Sequence, residues 1–152
     1  MTTTFKGLRT WQTHDGGGYQ GTLVVDGVAA AYVHDDGHGG CLTIEVGTTD
    51  AAKRAWDTFR AWALARPLDA TLFPDSLPDD DFGTTSRIEI AIGACLEDFE
   101  WARRVARLSK TKTLFRLPDD RPGEWRTLML PDSDESRALV SKKYSGLATF
   151  AR

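Results

Sequence analysis

The stretch "YQGTLVVDGVAAAYVH" (19–34) limits the fold more than any other part of the chain. Two strand-like runs flank Asp26-Gly27, and a type I′ hairpin turn needs positive φ at both of its central positions. Asp-Gly meets that need at low steric cost, so the stretch reads as a hairpin. Its flanks extend the pattern. "FKGLRTWQT" (5–13) ends in "HDGGG", and "CLTIEV" (41–46) follows "HDDGHGGC". The first 46 residues therefore predict a four-stranded antiparallel meander with strands at 5–13, 19–25, 28–34 and 41–46. Leu23 and Val25 share one face by alternation, as Leu42, Ile44 and Val46 do on their own run, so one face of the sheet is covered.

Helical spacing follows. Thr48 and Thr49 are good caps for "DAAKRAWDTFRAWALAR", where Ala52, Trp56, Phe59 and Ala63 recur at helical intervals, and Pro67 stops the run. Residues 67–83 carry Pro67, Pro74 and Pro78 and three consecutive aspartates. They read as a hinge or as a long loop packed down by Leu72, Phe73 and Phe82. In 85–110, Ile88, Ile90 and Ile92 alternate like a strand. Ile88, Ile92, Cys95, Phe99, Ala102 and Ala106 keep helix period over a longer span, and the longer pattern predicts a helix that contains Gly93. "KTLFRL" (112–117) and "EWRTLML" (124–130) form a hairpin across "PDDRPG". A last helix is expected with Asp132 as its cap and Glu135 completing a capping box. Lys142 and Lys143 lie in its last turn, with Gly146 beyond. The class is α+β: an antiparallel sheet, made of the meander and the C-terminal hairpin, with about three helices packed on it, in a single domain spanning 1–152.

A chain of 152 residues with 41% apolar residues can bury a core without staples. Its two cysteines, Cys41 and Cys95, define no disulfide framework and are expected as free thiols. No run has the length of a membrane span or the form of a signal peptide, so a soluble cytoplasmic protein without membrane contact is expected. The net charge of −3 hides an asymmetry. Residues 1–100 carry 7 Lys/Arg against 16 Asp/Glu, and residues 101–152 carry 12 against 6. Such polarity steers a charged partner, or it lets two faces of one domain attract each other.

The two histidine loops are the most site-like feature. An up-and-down meander puts its first and third turns at the same end of the sheet. His14 and Asp15 thus come near His34, Asp35, Asp36 and His38. Imidazole, carboxylate and the Cys41 thiol would suit a borderline cation such as zinc, or a thiol nucleophile with a histidine base. Zinc signatures repeat their ligand pairs, and no second pair exists here; Asp and Gly are also the ordinary residues of tight turns. "GGGYQG" (16–21) matches a dinucleotide-binding pattern only in letters, because a strand follows it where that motif needs a helix. The loops are read as turns that offer a contact surface, with no catalytic residue, metal or cofactor assigned. The second candidate surface is Arg103, Arg104, Arg107, Lys110, Lys112 and Arg116, six cations without an intervening acid. Trp101, Phe115 and Trp125 lie nearby in sequence, and interleaved aromatics suit base stacking or a protein interface.

With "DDGHGGC" before a helix, "KTKTLFRLPDDRPGEWRTL" and "LVSKKYSG", the chain resembles small proteins of phages and other bacterial mobile elements. The resemblance implies an accessory protein that binds host defence or nucleic-acid machinery, an anti-CRISPR-type inhibitor being one form. It carries no catalytic residues across. The expected function is a non-enzymatic protein-binding module using His14, Asp15, His34, Asp35, Asp36, His38, Arg103, Arg104, Arg107, Lys110 and Lys112. Two alternatives stay open: nucleic-acid binding through 103–116, and a metal- or thiol-dependent enzyme built on the loops.

Overall fold

The computed structural model describes residues 1–67 and 81–151, with Phe82 described by its backbone only. The loop anchors Leu72 and Phe73 and most of the expected loop at 67–83 lie outside the described residues. The chain divides into two compact units, Met1–Glu97 and Asp98–Arg152. The α+β class is as expected, and the hairpin predicted near the C-terminus belongs to a sheet of its own.

In the first unit, β1 (Thr3–Gln12), β2 (Gly17–Val25), β3 (Val28–Asp35) and β4 (Thr43–Val46) form the meander in sequence order. Asp26 and Gly27 have φ of 47° and 84°, as a type I′ turn requires. Beyond that turn the pairing slips. Val25 faces Val28 and Val24 faces Ala29, but Leu23 faces Ala31, so Ala30 is an extra, bulged residue. From there Ala31, Val33 and Asp35 share a face with Leu23, Gly21 and Tyr19, while Tyr32 and His34 lie opposite Thr22 and Gln20 on the other face. Phe5, Leu23, Val25, Ala31 and Val33 are buried.

Helix α1 (Asp50–Ala65) packs chiefly on β3. The Thr49 hydroxyl caps it by accepting from the Ala52 N–H at 3.1 Å. The helix ends at Arg66, whose ψ of 134° is the extended conformation that a following proline favours. Phe59 is fully buried, between the rings of Trp56 and Trp62 with centroids 5.7 and 5.5 Å away.

Helix α2 (Asp81–Leu108) runs unbroken through Gly93, so the helical period prevails over the alternating isoleucines. Its buried stripe differs from the expected one. Ile88, Ile92 and Cys95 are buried, but Ala102 and Ala106 are exposed, and Trp101, Val105 and Leu108 turn inward instead. This is a step of one residue, about 100° around a helix. It falls where the second unit begins.

In the second unit, β5 (Thr113–Arg116) is flanked by β6 (Arg126–Leu128) and by β7 (Thr149–Phe150), both antiparallel to it. Leu114 joins Val105 and Ala151 in a buried cluster, against which Trp101, Leu108 and Trp125 pack. Phe115, on the opposite face, meets Tyr144 beside helix α3 (Asp134–Lys143), with centroids 5.5 Å apart. The cap of α3 is Ser133, which accepts from the Ser136 N–H at 3.2 Å, not Asp132. Asp132 is drawn away by Arg137, whose guanidinium forks onto it at 2.8 and 2.6 Å. The two-point contact between opposite charges outweighs the single cap bond that the carboxylate would make to a backbone N–H.

Two substitutions of opposite sign test this account. Phe59→Ala should destabilise the protein by about 3–5 kcal/mol in urea unfolding, because a fully buried ring leaves a cavity. Gly93→Ala should stabilise it by about 1 kcal/mol, since it sits inside a helix and an added Cβ meets nothing within 4 Å.

Candidate functional site

The β1–β2 turn and the β3–β4 loop meet at one end of the first sheet, as the meander requires. Their contacts are local and polar. The Thr13 hydroxyl donates to Gly37 O at 2.5 Å, and Asp35 and Asp36 accept the backbone N–H groups of Gly37 and His38 at 2.8 and 2.9 Å. One side-chain pair links the loops, His38 Nδ1 to Asp15 Oδ2 at 3.0 Å, and both residues are more than half exposed. The loop is pinned again at its far end, where the Leu42 N–H donates to Glu89 Oε1 at 2.9 Å. Bonds of this kind leave the aspartates acting as backbone acceptors in turns.

The expected cluster is therefore only partly assembled. Asp15 and His38 meet. His14 is exposed, and His34 lies against Trp11, its ring centroid 5.7 Å from the indole. Cys41 is exposed and bonds to neither His34 nor His38. Among the described residues no three His, Cys, Asp or Glu side chains converge to hold a metal.

A group that the sequence did not single out lies on the covered face at this same end. Tyr19 is paired with Asp35 in register. Burial first, then the negative charges of Asp35 and Glu89, push its phenol up to about 12. The neutral tyrosine is preferred in the fold.

The second candidate surface behaves differently. Arg103, Arg104 and Arg107 line a concave surface of about 410 Å³ on α2 together with Glu100, and all four are exposed. Arg103 lies over the Phe99 ring at 5.7 Å, and Arg116 over Trp125 at 5.6 Å. None of the six cations from Arg103 to Arg116 enters an ion pair among the described residues, whereas Arg126 and Arg137 are forked onto Asp120 and Asp132. Those two carboxyls are held below the usual carboxylate range by the guanidiniums. The interleaved aromatics are not free platforms. Phe115 is buried, and Trp101 and Trp125 lie 5.4 Å apart against the buried cluster.

Comparison of the chain with protein-family models, with curated proteins and with solved structures finds no match. No helix among the described residues is long and apolar enough to cross a membrane.

The Tyr19 environment gives a test of the loop end. Its raised value means a stabilising contribution that is fully present below pH 10.0 and is lost as the pH rises through about 12. Ultraviolet titration should show one late tyrosinate step that is missing in Tyr19→Phe. Identical titration curves for the two proteins would refute this environment.

Proposed function

We propose that the protein is a non-enzymatic binding module that docks on an acidic surface of a protein partner, in the manner of a mobile-element inhibitor of a bacterial defence complex. The observation that carries this reading is the contrast between the two sets of arginines in the second unit. Arg126 and Arg137 have carboxylates of their own, and Arg103, Arg104 and Arg107 present their guanidiniums from one exposed helix surface without any among the described residues. An unpaired guanidinium fork matches a carboxylate at two points, which favours a partner rich in Asp and Glu. Lys110 and Lys112 extend the cationic surface. The resemblance to small proteins of phages and mobile elements supports the same reading. The loop end of the first unit, with His14, Asp15, His34, Asp35, Asp36 and His38, supplies a second set of polar contacts.

A nucleic-acid partner for the same surface is favoured by one observation, the run of six cations from the end of α2 into β5, none in an ion pair among the described residues. The chain's overall acidity opposes it.

Capture from a bacterial lysate with tagged protein should recover a stoichiometric partner, and Arg103→Glu with Arg104→Glu and Arg107→Glu should abolish its recovery. No partner, or a partner retained by the triple variant, would sink the proposal. If duplex DNA is the ligand instead, log affinity should fall steeply with log salt, as counterion release demands, and the same triple variant should flatten that slope.

A further inference from the structure

The open face of the first sheet carries a pattern unrelated to the arginine surface. Register places its residues in rows across the strands. Lys6, Thr22, Tyr32 and Glu45 form one row, and Arg9, Gln20, His34 and Thr43 form the next. Trp11, opposite Gly18, begins a third. Along β3, Tyr32 and His34 point the same way, about 7 Å apart as alternate strand residues are. The Trp11 indole continues that line. It lies flat on the sheet: a Cβ added to Gly18 would come within 2.3 Å of its Nε1, so the glycine is required for the ring to rest there. The indole N–H donates to the Asp36 carbonyl at 3.3 Å, which fixes the ring while leaving it partly exposed.

Tyr32 is 38% exposed, and Lys6 and Arg9 are exposed on the edge strand β1 in the same two rows as Tyr32 and His34. Neither cation enters an ion pair among the described residues. Glu45, on the opposite edge, is the one acid within these rows. The face thus carries a run of three aromatic rings that passes from Tyr32 and His34 on β3 to Trp11 on β1, where Lys6 and Arg9 also stand, without an ion pair among the described residues. Flat rings receive unpaired bases regardless of sequence, and a flanking cationic line follows the phosphates of the same strand. A duplex hides its base faces, so this arrangement selects single strands.

We infer that this face binds single-stranded nucleic acid, with bases stacking on Tyr32, His34 and Trp11 and phosphates meeting Lys6 and Arg9. Thr22 and Gln20, on β2, lie between the β3 rings and the β1 cations as hydrogen-bonding groups for base edges, and Thr43 flanks His34 on β4.

Fluorescence anisotropy with a labelled oligothymidylate of roughly 15 nucleotides tests this on the full chain. Binding should be tighter than to a duplex of the same length and should quench tryptophan emission. Trp11→Ala removes the cover of Gly18 and so risks the fold. Tyr32→Ala and Arg9→Glu, both at exposed positions, are therefore the deciding variants, with circular dichroism as the folding control. Tyr32→Ala should weaken binding at least about fivefold, the lower end for losing one stacked base, and Arg9→Glu should weaken it too and flatten its salt dependence. The triple arginine variant on α2 should bind the oligonucleotide as the unaltered protein does. No binding at about 50 mM salt would overturn the proposal. So would equal affinity for heparin, which has charge but no bases, or a loss of binding in the α2 variant with none in Tyr32→Ala.

Discussion

One extra residue in a hairpin decides what the first unit presents to its surroundings. A two-residue turn at Asp26-Gly27, with no slip, would set Tyr32 opposite Gly21 and His34 opposite Tyr19, facing the helices. The bulge at Ala30 rotates the rest of β3 by one position. Ala31 and Val33 then fill the covered face, small and β-branched as the packed α1 requires, and the two rings turn to the open side. A one-residue shift flips every side chain beyond it, so the core, the placement of Asp35 beside Tyr19 and the aromatic line all depend on this irregularity. Burial supplies the reason for the slip. With it, Ala30, Ala31 and Val33 are all at or below 2% exposure; without it a phenol and an imidazole would have to fit there.

This also separates what the sequence discloses from what it does not. Alternation, Asp-Gly, Thr49 and Pro67 are local signals, and they located the meander and α1 within a few residues. The bulge is not local. It balances the packing of a whole strand against a local break in the ladder, and no residue in "VAAAYVH" announces it. Strand β7 was invisible for a related reason, since two residues carry no period and Phe150 pairs only because Phe115 offers an open edge. At α3, a serine and an aspartate compete for one cap, and the outcome depended on an arginine five positions beyond the aspartate.

The candidate sites were legible to the same degree. Meander topology correctly joined the two histidine loops at one end of the sheet, but which side chains meet there depends on the register. Asp15 found His38, and His34 went to Trp11. The basic stripe was plain in the sequence because charge needs no register. Its aromatic neighbours do not stand free because the step in the α2 stripe turns Trp101 onto the buried cluster, where Trp125 from the stretch before β6 packs beside it. Trp11 and Tyr32, each alone in a strand, gave a signal only once rows across the sheet were known.

The α2 arginines that find no carboxylate among the described residues carry a cost that falls on the free protein. Arg103 and Arg107 stand one helical turn apart, a spacing at which like charges repel by a few tenths of a kcal/mol, and Arg104 adds to the crowding. Glu100 lies within reach along the same surface yet bridges to none of them at ion-pair distance. The end of α2 is thus held under a mild electrostatic load that the second unit's packing must offset. Any polyvalent anion that settles on this surface relieves the load, so the helix becomes firmer when occupied than when empty. The stretch proposed to meet a partner is then also one whose own stability would gain from the meeting.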